Sequence, residues 1–374
     1  MTKMKKRLTA LLLALLMILS LAACSDGKDN DGGTKQGSDA DEINIVPTAA
    51  SSIETERYDN GDFSLDIPKG WTVTSGGAYM LHSIRVYDPE NPINQMFFML
   101  KADCLLHSQA GKDAWQYNYQ MGNSQAILFA SAPVLSSPST EGFFKIFPQY
   151  AEFISSVESS YAGYSLPSFE SFTVTDRFAS TSSLAASALG DELLRATFTD
   201  GDKNGEGMFS ASVVDFGQVQ IPSGGVSGYQ LQSADGGYYM AYNIVAVTAE
   251  KDTFIDWEPV LAKCMASLEY SDSFVSSAKQ ASNETVALAM QISRNFNETM
   301  NSIMAAWESR STSQDIMSQK QSDAILGYER IYNTETGETY KADLGWSDTH
   351  DSALYKPVED DSMYLKATSG YIVD

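Results

Sequence analysis

Four residues with side-chain oxygens are spaced as in the first half of a calcium loop, and they are Asp200, Asp202, Asn204 and Glu206. Three of them alternate through the segment DGDKNG, so one tight loop could direct several oxygens at a hard cation, and the backbone carbonyl of the fourth could add another. The twelfth position is Ala211 instead of the bidentate Glu. The flanking segments predict strands, and Asp, Asn and Gly are common in any hairpin turn. We therefore expect a plain turn, with a weak calcium site as the alternative.

Combinations of residues that could perform catalysis are scarce. Ser276 and Lys279 have the Ser-x-x-Lys spacing of penicillin-recognising enzymes, but the partner motifs Ser-Asp-Asn and Lys-Thr-Gly are absent from the sequence. Motifs of the types Gly-x-Ser-x-Gly, His-Glu-x-x-His and Walker A are also absent. Nothing in the sequence places His82, His107 or His350 beside a nucleophile. We therefore expect a protein without catalytic activity and without a cofactor.

Cysteine chemistry is restricted to Cys24, Cys104 and Cys264. Three Cys and three His are too few for a disulfide scaffold or a Cys/His zinc module. Outside the cytoplasm, Cys104 and Cys264 could pair. Each falls in an apolar run, however, the first on a predicted strand and the second on the inner stripe of a predicted helix. Free buried thiols are therefore expected, with a disulfide as the alternative.

The N-terminal segment has the composition of an export signal. Four basic residues precede the apolar run LTALLLALLMIL, and the segment ends in LAAC at Cys24. The run is too short to span a bilayer comfortably. LAAC resembles the bacterial lipobox, which implies removal of residues 1–23 and attachment of a diacylglyceryl group to Cys24. Acyl chains there would hold the protein on the extracytoplasmic face of the cell membrane. An ordinary cleaved signal is the alternative.

The charge balance excludes one class of partner. The chain has 48 acids against 25 Lys plus Arg and a net charge of −23, which argues against nucleic-acid binding. Loss of residues 1–23 would change the net charge to −27, because four basic residues and no acids are removed. Anionic lipid head groups repel such a surface. Residues 24–55, rich in Gly, Ser, Asp and Ala, are expected to be a flexible tether that keeps the folded part away from the membrane.

Residues 56–275 are expected to form an α+β domain, an antiparallel sheet with covering helices. Period-two alternation in FSLDIP predicts a strand, and three later strands predict a meander followed by the amphipathic helix DTFIDWEPVLAKCMASLEY. A further helix is expected after Ser137, with that residue as its cap. The segment FSLDIPKGW, the meander and a closing helix that ends in MASLEY resemble the PsbP-like family over about residues 56–270, with an insertion near 105–180. This resemblance implies a non-catalytic accessory protein that binds partners at membranes.

The C-terminal quarter of the chain is predicted to contain helices and then a small β-rich module. Residues 276–326 form the helical segment, within which an apolar stripe at spacings of three and four predicts one long amphipathic helix over 279–310. That helix could pack on the sheet domain or bind a partner. Residues 327–374 predict a hairpin and a tail whose aromatic residues either form a small core or stack on glycan rings.

The leading functional expectation is a non-enzymatic binding or accessory lipoprotein anchored to the membrane. Its partner would be a protein or a glycan of the cell envelope. One alternative is an enzyme that acts on cell-envelope polymers, which would require a polar cleft that contains His82 or His107 with a carboxylate. The other is a transporter-associated solute receptor, which would require two lobes of alternating strands and helices.

Overall fold

The computed structural model describes residues 43–179, 187–227, 230–281, 301, 305 and 312–373. Cys24, residues 1–23 and most of the predicted 279–310 helix lie outside the described residues. The main body of the molecule is one unit that begins at Ile43. In the described part of the chain, no helix combines the length and apolar character needed to cross a bilayer.

Strands provide most of the regular structure. In chain order they are β1 (Asn44–Pro47), β2 (Thr55–Asp59), β3 (Phe63–Pro68), β4 (Thr72–Gly76), β5 (Ser83–Tyr87), β6 (Gln95–Leu106), β7 (Glu170–Ala179), β8 (Gly190–Asp200), β9 (Lys203–Asp215), β10 (Gln220–Ser227), β11 (Gln230–Asp235), β12 (Tyr238–Glu250), β13 (Glu269–Tyr270), β14 (Tyr328–Asn333), β15 (Thr339–Asp343), β16 (Tyr355–Pro357) and β17 (Thr368–Val373).

The described helices all lie between strands in the chain order. They are α1 (Ala49–Ser52), α2 (Gln109–Gln120), α3 (Ile127–Ser131), α4 (Thr140–Val157), α5 (Phe254–Ala266), α6 (Asp272–Ala281), α7 (Thr312–Leu326) and α8 (Trp346–Thr349). This combination of helices with largely antiparallel sheets confirms the predicted α+β class. The cap of α4 was predicted wrongly, because its first turn is capped by Ser139, whose hydroxyl accepts from the amide of Gly142, and not by Ser137.

Seven antiparallel strands form the main sheet in the order β4-β5-β6-β12-β9-β8-β7. Side chains of β6 alternate between two cores, so that Met96 and Phe98 join the cluster under α5 while Phe97 and Met99 join the cluster under α4. A strand covered on both faces has no solvated side, which explains its nearly continuous apolar sequence. The predicted meander is present as β8, β9 and β12, but a separate β10–β11 ribbon is inserted between β9 and β12.

The C-terminal β module includes a strand from the N-terminal part of the chain. Its sheet has the order β1-β17-β15-β14-β16, and β1 pairs antiparallel with β17. The predicted tether over 24–55 is therefore too long, because Asn44–Pro47 and Ala49–Ser52 are a strand and a helix. Backbone hydrogen bonds to β17 order a segment whose own composition offers little apolar surface to bury.

Buried polar contacts connect the C-terminal module to its neighbours. Nε of Arg330 lies 2.7 Å from a carboxylate oxygen of Asp323 on α7, and Nζ of Lys341 lies 3.2 Å from the other oxygen. Asp256 of α5 accepts hydrogen bonds from the amide and the hydroxyl of Thr368, both at 2.8 Å. Removal of one partner from such a pair would leave the other group buried without its partner. These contacts therefore fix the position of the module strongly.

Candidate functional site at one end of the sheet

The candidate calcium residues lie in a tight hairpin between β8 and β9. Asp200 pairs with Lys203, and Gly201 adopts a φ of 61° in the two-residue turn between them. Glu206 lies farther along β9, where its carboxylate is 2.5 Å from Nε of Arg195 and is buried. In the described residues, no group of three or more His, Cys, Asp or Glu side chains is arranged to hold a metal ion. The segment therefore forms the expected hairpin turn, and the weak calcium site stays a prediction from the sequence.

The two described cysteines lie in different cores. Cys104 belongs to the cluster on the α4 side of the sheet and Cys264 to the cluster on the α5 side. Both are free and buried thiols, so the alternative of a disulfide between them is wrong. Burial raises the pKa of Cys104 to about 12 and that of Cys264 to about 11. Neither thiol is therefore activated as a nucleophile.

The three histidines occupy separate places. His350 stacks on Trp346 of the C-terminal module, with 4.5 Å between ring centres. His82 is buried beside β3 and α6, and Ser276 of the dismissed Ser-x-x-Lys motif is exposed on α6. His107 alone lies between two carboxylates, at the end of the main sheet.

Both ring nitrogens of His107 contact carboxylates at this end of the sheet. Nδ1 is 2.9 Å from Oδ2 of Asp235, and Nε2 is 3.1 Å from Oδ1 of Asp215. These acids are the last residues of β11 and β9, and His107 immediately follows β6, so one ring connects three strand ends. The ring centre also lies 4.2 Å from that of Tyr239. A general base needs a nitrogen within reach of a substrate proton, whereas both nitrogens here contact the protein.

Asp235 is the centre of this cluster. Its Oδ1 accepts hydrogen bonds from the amides of Val219 at 3.1 Å and Gly237 at 2.9 Å, while Oδ2 contacts His107. Burial alone would raise the pKa of Asp235, but the hydrogen bonds from His107 and the two amides outweigh burial and lower it. No residue other than glycine fits at position 237, because a Cβ there would lie 2.1 Å from the carbonyl oxygen of Gly217.

A line of four aromatic side chains, here called the aromatic row, lies at the same end of the sheet. Its members in spatial order are Trp115, Phe129, Tyr238 and Phe216, with successive ring centres 4.6, 5.5 and 5.3 Å apart. The first and last pairs are stacked. Trp115 is fixed by a 2.8 Å hydrogen bond from Nε1 to the carbonyl of Gly236. Phe216 is 54% exposed, so the row reaches solvent at that end.

Exposed aliphatic side chains come from the segments that carry the aromatic row, and they are Met121, Ile127, Leu128 and Val219. Exposed apolar side chains on the segments around fixed aromatic rings are typical of surfaces that bind other proteins. The row has no continuous signature in the sequence, because 123 positions separate Trp115 from Tyr238 and only folding brings them together. One signal was available: Phe216 follows the acidic end of a strand, outside any alternating pattern.

No family model matches the chain, and no curated protein matches it. The PsbP-like resemblance and the lipobox therefore stay predictions from the sequence.

Proposed function

We propose that this protein is a non-enzymatic binding lipoprotein, anchored through Cys24 on the extracytoplasmic face of a membrane, which binds a protein partner on the aromatic row. The observation that carries the proposal is the stacked row itself, which ends in the exposed Phe216 beside the His107 cluster. Large rings that are already fixed lose little conformational freedom on binding. The row is therefore well suited to serve as the apolar centre of an interface.

The chemistry of the surroundings favours a protein over a glycan. Exposed Met and branched aliphatic side chains accompany the rings, and such residues match the apolar centre of a protein interface. Asp215 has a side chain that is 45% exposed, and it directly precedes Phe216. Asp113 is exposed on α2, the helix that carries Trp115. The partner expected for this surface has an apolar centre with a basic rim.

Two observations favour binding over the alternatives. His107 has the carboxylates that an enzyme site would need, yet both of its nitrogens are engaged with them. His82 shares a cavity with Asp62, but its hydrogen bond in the described structure is to the hydroxyl of Tyr270 and not to a carboxylate. The main sheet is antiparallel throughout. A solute receptor would instead have two lobes of alternating strands and helices, an arrangement that gives parallel sheets.

Membrane anchoring is tested by the variant Cys24→Ala. The acyl chains would then have no attachment point, so the protein should leave the membrane fraction or accumulate unprocessed. Cys104→Ala is the matched control, because it removes a buried thiol and should leave partition unchanged. Full retention of Cys24→Ala in the detergent phase would place the anchor elsewhere and contradict the proposal.

Partner binding is tested by placing a photo-crosslinking phenylalanine analogue at Phe216 in intact cells. We expect one discrete protein adduct from this position. The same analogue at Leu344, which is 68% exposed in the C-terminal module, is the control and should give no such adduct. Adding Met121→Ser should reduce the yield at Phe216. Equal adducts from both positions, or no adduct from Phe216, would refute a partner site on the aromatic row.

A further inference from the structure

A second candidate site is a cavity of about 420 Å³ between helix α6 and the segment that joins β4 to β5. Its polar lining consists mainly of hydroxyl groups with one carboxylate, and these come from Ser75, Ser160, Ser273, Ser277 and Asp62. Lys and Arg are absent from the described lining. The cavity also contains the aromatic side chains of Tyr79 and Phe274 and the imidazole of His82.

His82 is buried, with 7% of its surface exposed, and among the described residues one of its two ring nitrogens has a hydrogen-bond partner. Nδ1 lies 3.0 Å from the hydroxyl of Tyr270. The ring centre is 5.0 Å from that of Phe274 and 5.6 Å from that of Phe63. Within the described residues, Nε2 has no hydrogen-bond partner, and His82 lines the cavity. A ring nitrogen without a partner in the protein can form a hydrogen bond with water or with a ligand in the cavity.

The Tyr270 hydroxyl determines which nitrogen of His82 carries the proton. Burial raises the pKa of Tyr270 well above its ordinary value, so the hydroxyl keeps its proton. His82 Nδ1 is its partner in the described structure, and an unpaired buried hydroxyl proton is unfavourable. Tyr270 therefore donates to Nδ1. Burial also lowers the pKa of His82 to about 4, although Asp62 acts in the opposite direction. The neutral ring then presents Nε2–H, a donor, to the cavity.

Tyr79 forms the rim of the cavity in a backbone conformation that bulky residues rarely adopt. Its φ is 53°, and its side chain is 48% exposed. The surrounding turn is fixed by hydrogen bonds from the amide of His82 to the carbonyl of Tyr79 and from the hydroxyl of Tyr161 to the carbonyl of Leu81. Strain of this type is often found where a side chain must be held for a ligand. Here it holds an aromatic ring at the cavity entrance.

We propose that this cavity binds a neutral polyhydroxylated ring, such as a hexose, with His82 Nε2–H and Asp62 on its hydroxyl groups and Tyr79 against its C–H face. Sugar hydroxyls both donate and accept, which matches a lining of one fixed donor, one carboxylate and several serine hydroxyls. Asp62 is unfavourable for an anion when no cation in the lining offsets it. This site is separate from the aromatic row and does not depend on the function proposed for it.

The test is binding of methyl β-glucoside and methyl β-glucuronide to the intact protein, measured by saturation-transfer NMR and titration calorimetry. The two probes differ only in a carboxylate at the sixth carbon. We expect saturable binding of the glucoside and none of the glucuronide. The proposal would be overturned by equal binding of both probes or by preference for the glucuronide. It would also be overturned if the glucoside did not bind at tens of millimolar, because a weaker affinity would be too low to matter.

Variants distinguish this cavity from other surfaces. His82→Phe keeps an aromatic ring at this position but removes the Nε2–H donor, so it should weaken glucoside binding by about tenfold. Tyr79→Gly removes the rim and relieves the backbone, so binding should fall while the melting temperature stays the same or rises. Tyr119→Ala, an exposed ring on α2, is the control and should bind as the wild type does. Unchanged binding by the well-folded Tyr79→Gly variant would place the sugar elsewhere and contradict the assignment.

Discussion

The surroundings of His107 and His82 use the same side chain in opposite ways. At the end of the main sheet, His107 has a carboxylate on each nitrogen and connects the ends of β6, β9 and β11. Beside α6, His82 is packed among aromatic rings, and only Nδ1 has a partner in the described structure. The first arrangement serves stability and holds the adjoining aromatic row in place. The second leaves a donor available for a ligand.

A nearby carboxylate can occupy a histidine nitrogen as well as activate it. His107 satisfies the usual expectation of an acid–base pair, yet the contacts use both of its nitrogens. His82 has no carboxylate in hydrogen-bond contact within the described residues, and its availability follows from an aromatic setting and a cavity. The number of ring nitrogens left without a partner is therefore more informative here than the identity of the neighbours.

The largest expected effect is a pH dependence of stability that comes from His82. The ordinary histidine pKa is about 6.5, and burial lowers the pKa of folded His82 to about 4. The unfolded chain therefore binds this proton first, and stability is lost as the pH falls from about 6.5 to about 4, with no contribution above that range. The loss is about 3 kcal/mol when complete. Urea unfolding at pH 7.5 and 4.5 should show a smaller change for His82→Phe than for the wild type, and equal changes would contradict the difference between the two sites.

The next largest effect is expected from Asp235→Ala. This change removes the acceptor for His107 and for the amides of Val219 and Gly237, and we expect a loss of about 2 kcal/mol in the free energy of unfolding. Because the pKa of Asp235 is lowered in the folded protein, this stabilisation is present above the ordinary Asp pKa of about 3.9 and is lost as the pH falls through the lowered value. Thermal unfolding at pH 7 tests the variant. A stability equal to that of the wild type would contradict a structural role for the His107 cluster.

A smaller cost is expected when His82 loses its one partner bond. His82→Phe fits the aromatic surroundings but leaves the hydroxyl of Tyr270 without an acceptor, so it should destabilise the protein by about 1 kcal/mol at pH 7. Tyr270→Phe in the same chain removes that hydroxyl and should restore most of the loss. Chemical denaturation of the two single variants and the double variant measures the coupling. Additive effects would show that the hydrogen bond does not fix the ring.

The smallest effect is expected from Asp215→Ala. The Asp215 side chain is 45% exposed, so water replaces most of what His107 loses, and the cost should stay below about 1 kcal/mol. Comparison with Asp235→Ala under the same conditions ranks the two carboxylates. A larger loss from Asp215 than from Asp235 would reverse their assigned importance.

Sequence patterns predicted the fold well because its determinants are local. Alternation in FSLDIP corresponds to β3, whose burial alternates in the same way, and the apolar stripe over Trp257, Leu261 and Met265 lies in the core under α5. The strand β1 was not predicted, because its pairing with β17 joins residues more than 300 positions apart. Its sequence, NIVP, has no pattern that distinguishes a strand from a tether.

The sites were much harder to predict than the fold. DGDKNG forms the hairpin turn that its composition favours, but the sequence contained no sign that the side chain of Glu206 pairs with Arg195. The His107 cluster and the aromatic row each combine segments separated by more than 100 positions. Tyr270 occupies Nδ1 of His82 and leaves Nε2 without a partner in the described structure. Tyr270 is brought there by the pairing of β13 with β3. Contacts of this kind follow from topology, and one sequence contains no short-range signal for them.

The most direct test of the contrast between the two histidines is a long-range ¹H–¹⁵N NMR spectrum of the histidine rings at pH 5.5, with His82 assigned from the spectrum of His82→Phe. An ordinary histidine is mostly cationic at this pH. We predict that His82 is neutral, with its proton on Nε2 and none on Nδ1, and that methyl β-glucoside shifts the Nε2 signal. A cationic His82, or a neutral ring with the proton on Nδ1, would contradict the assignment of His82 as the donor that faces the cavity.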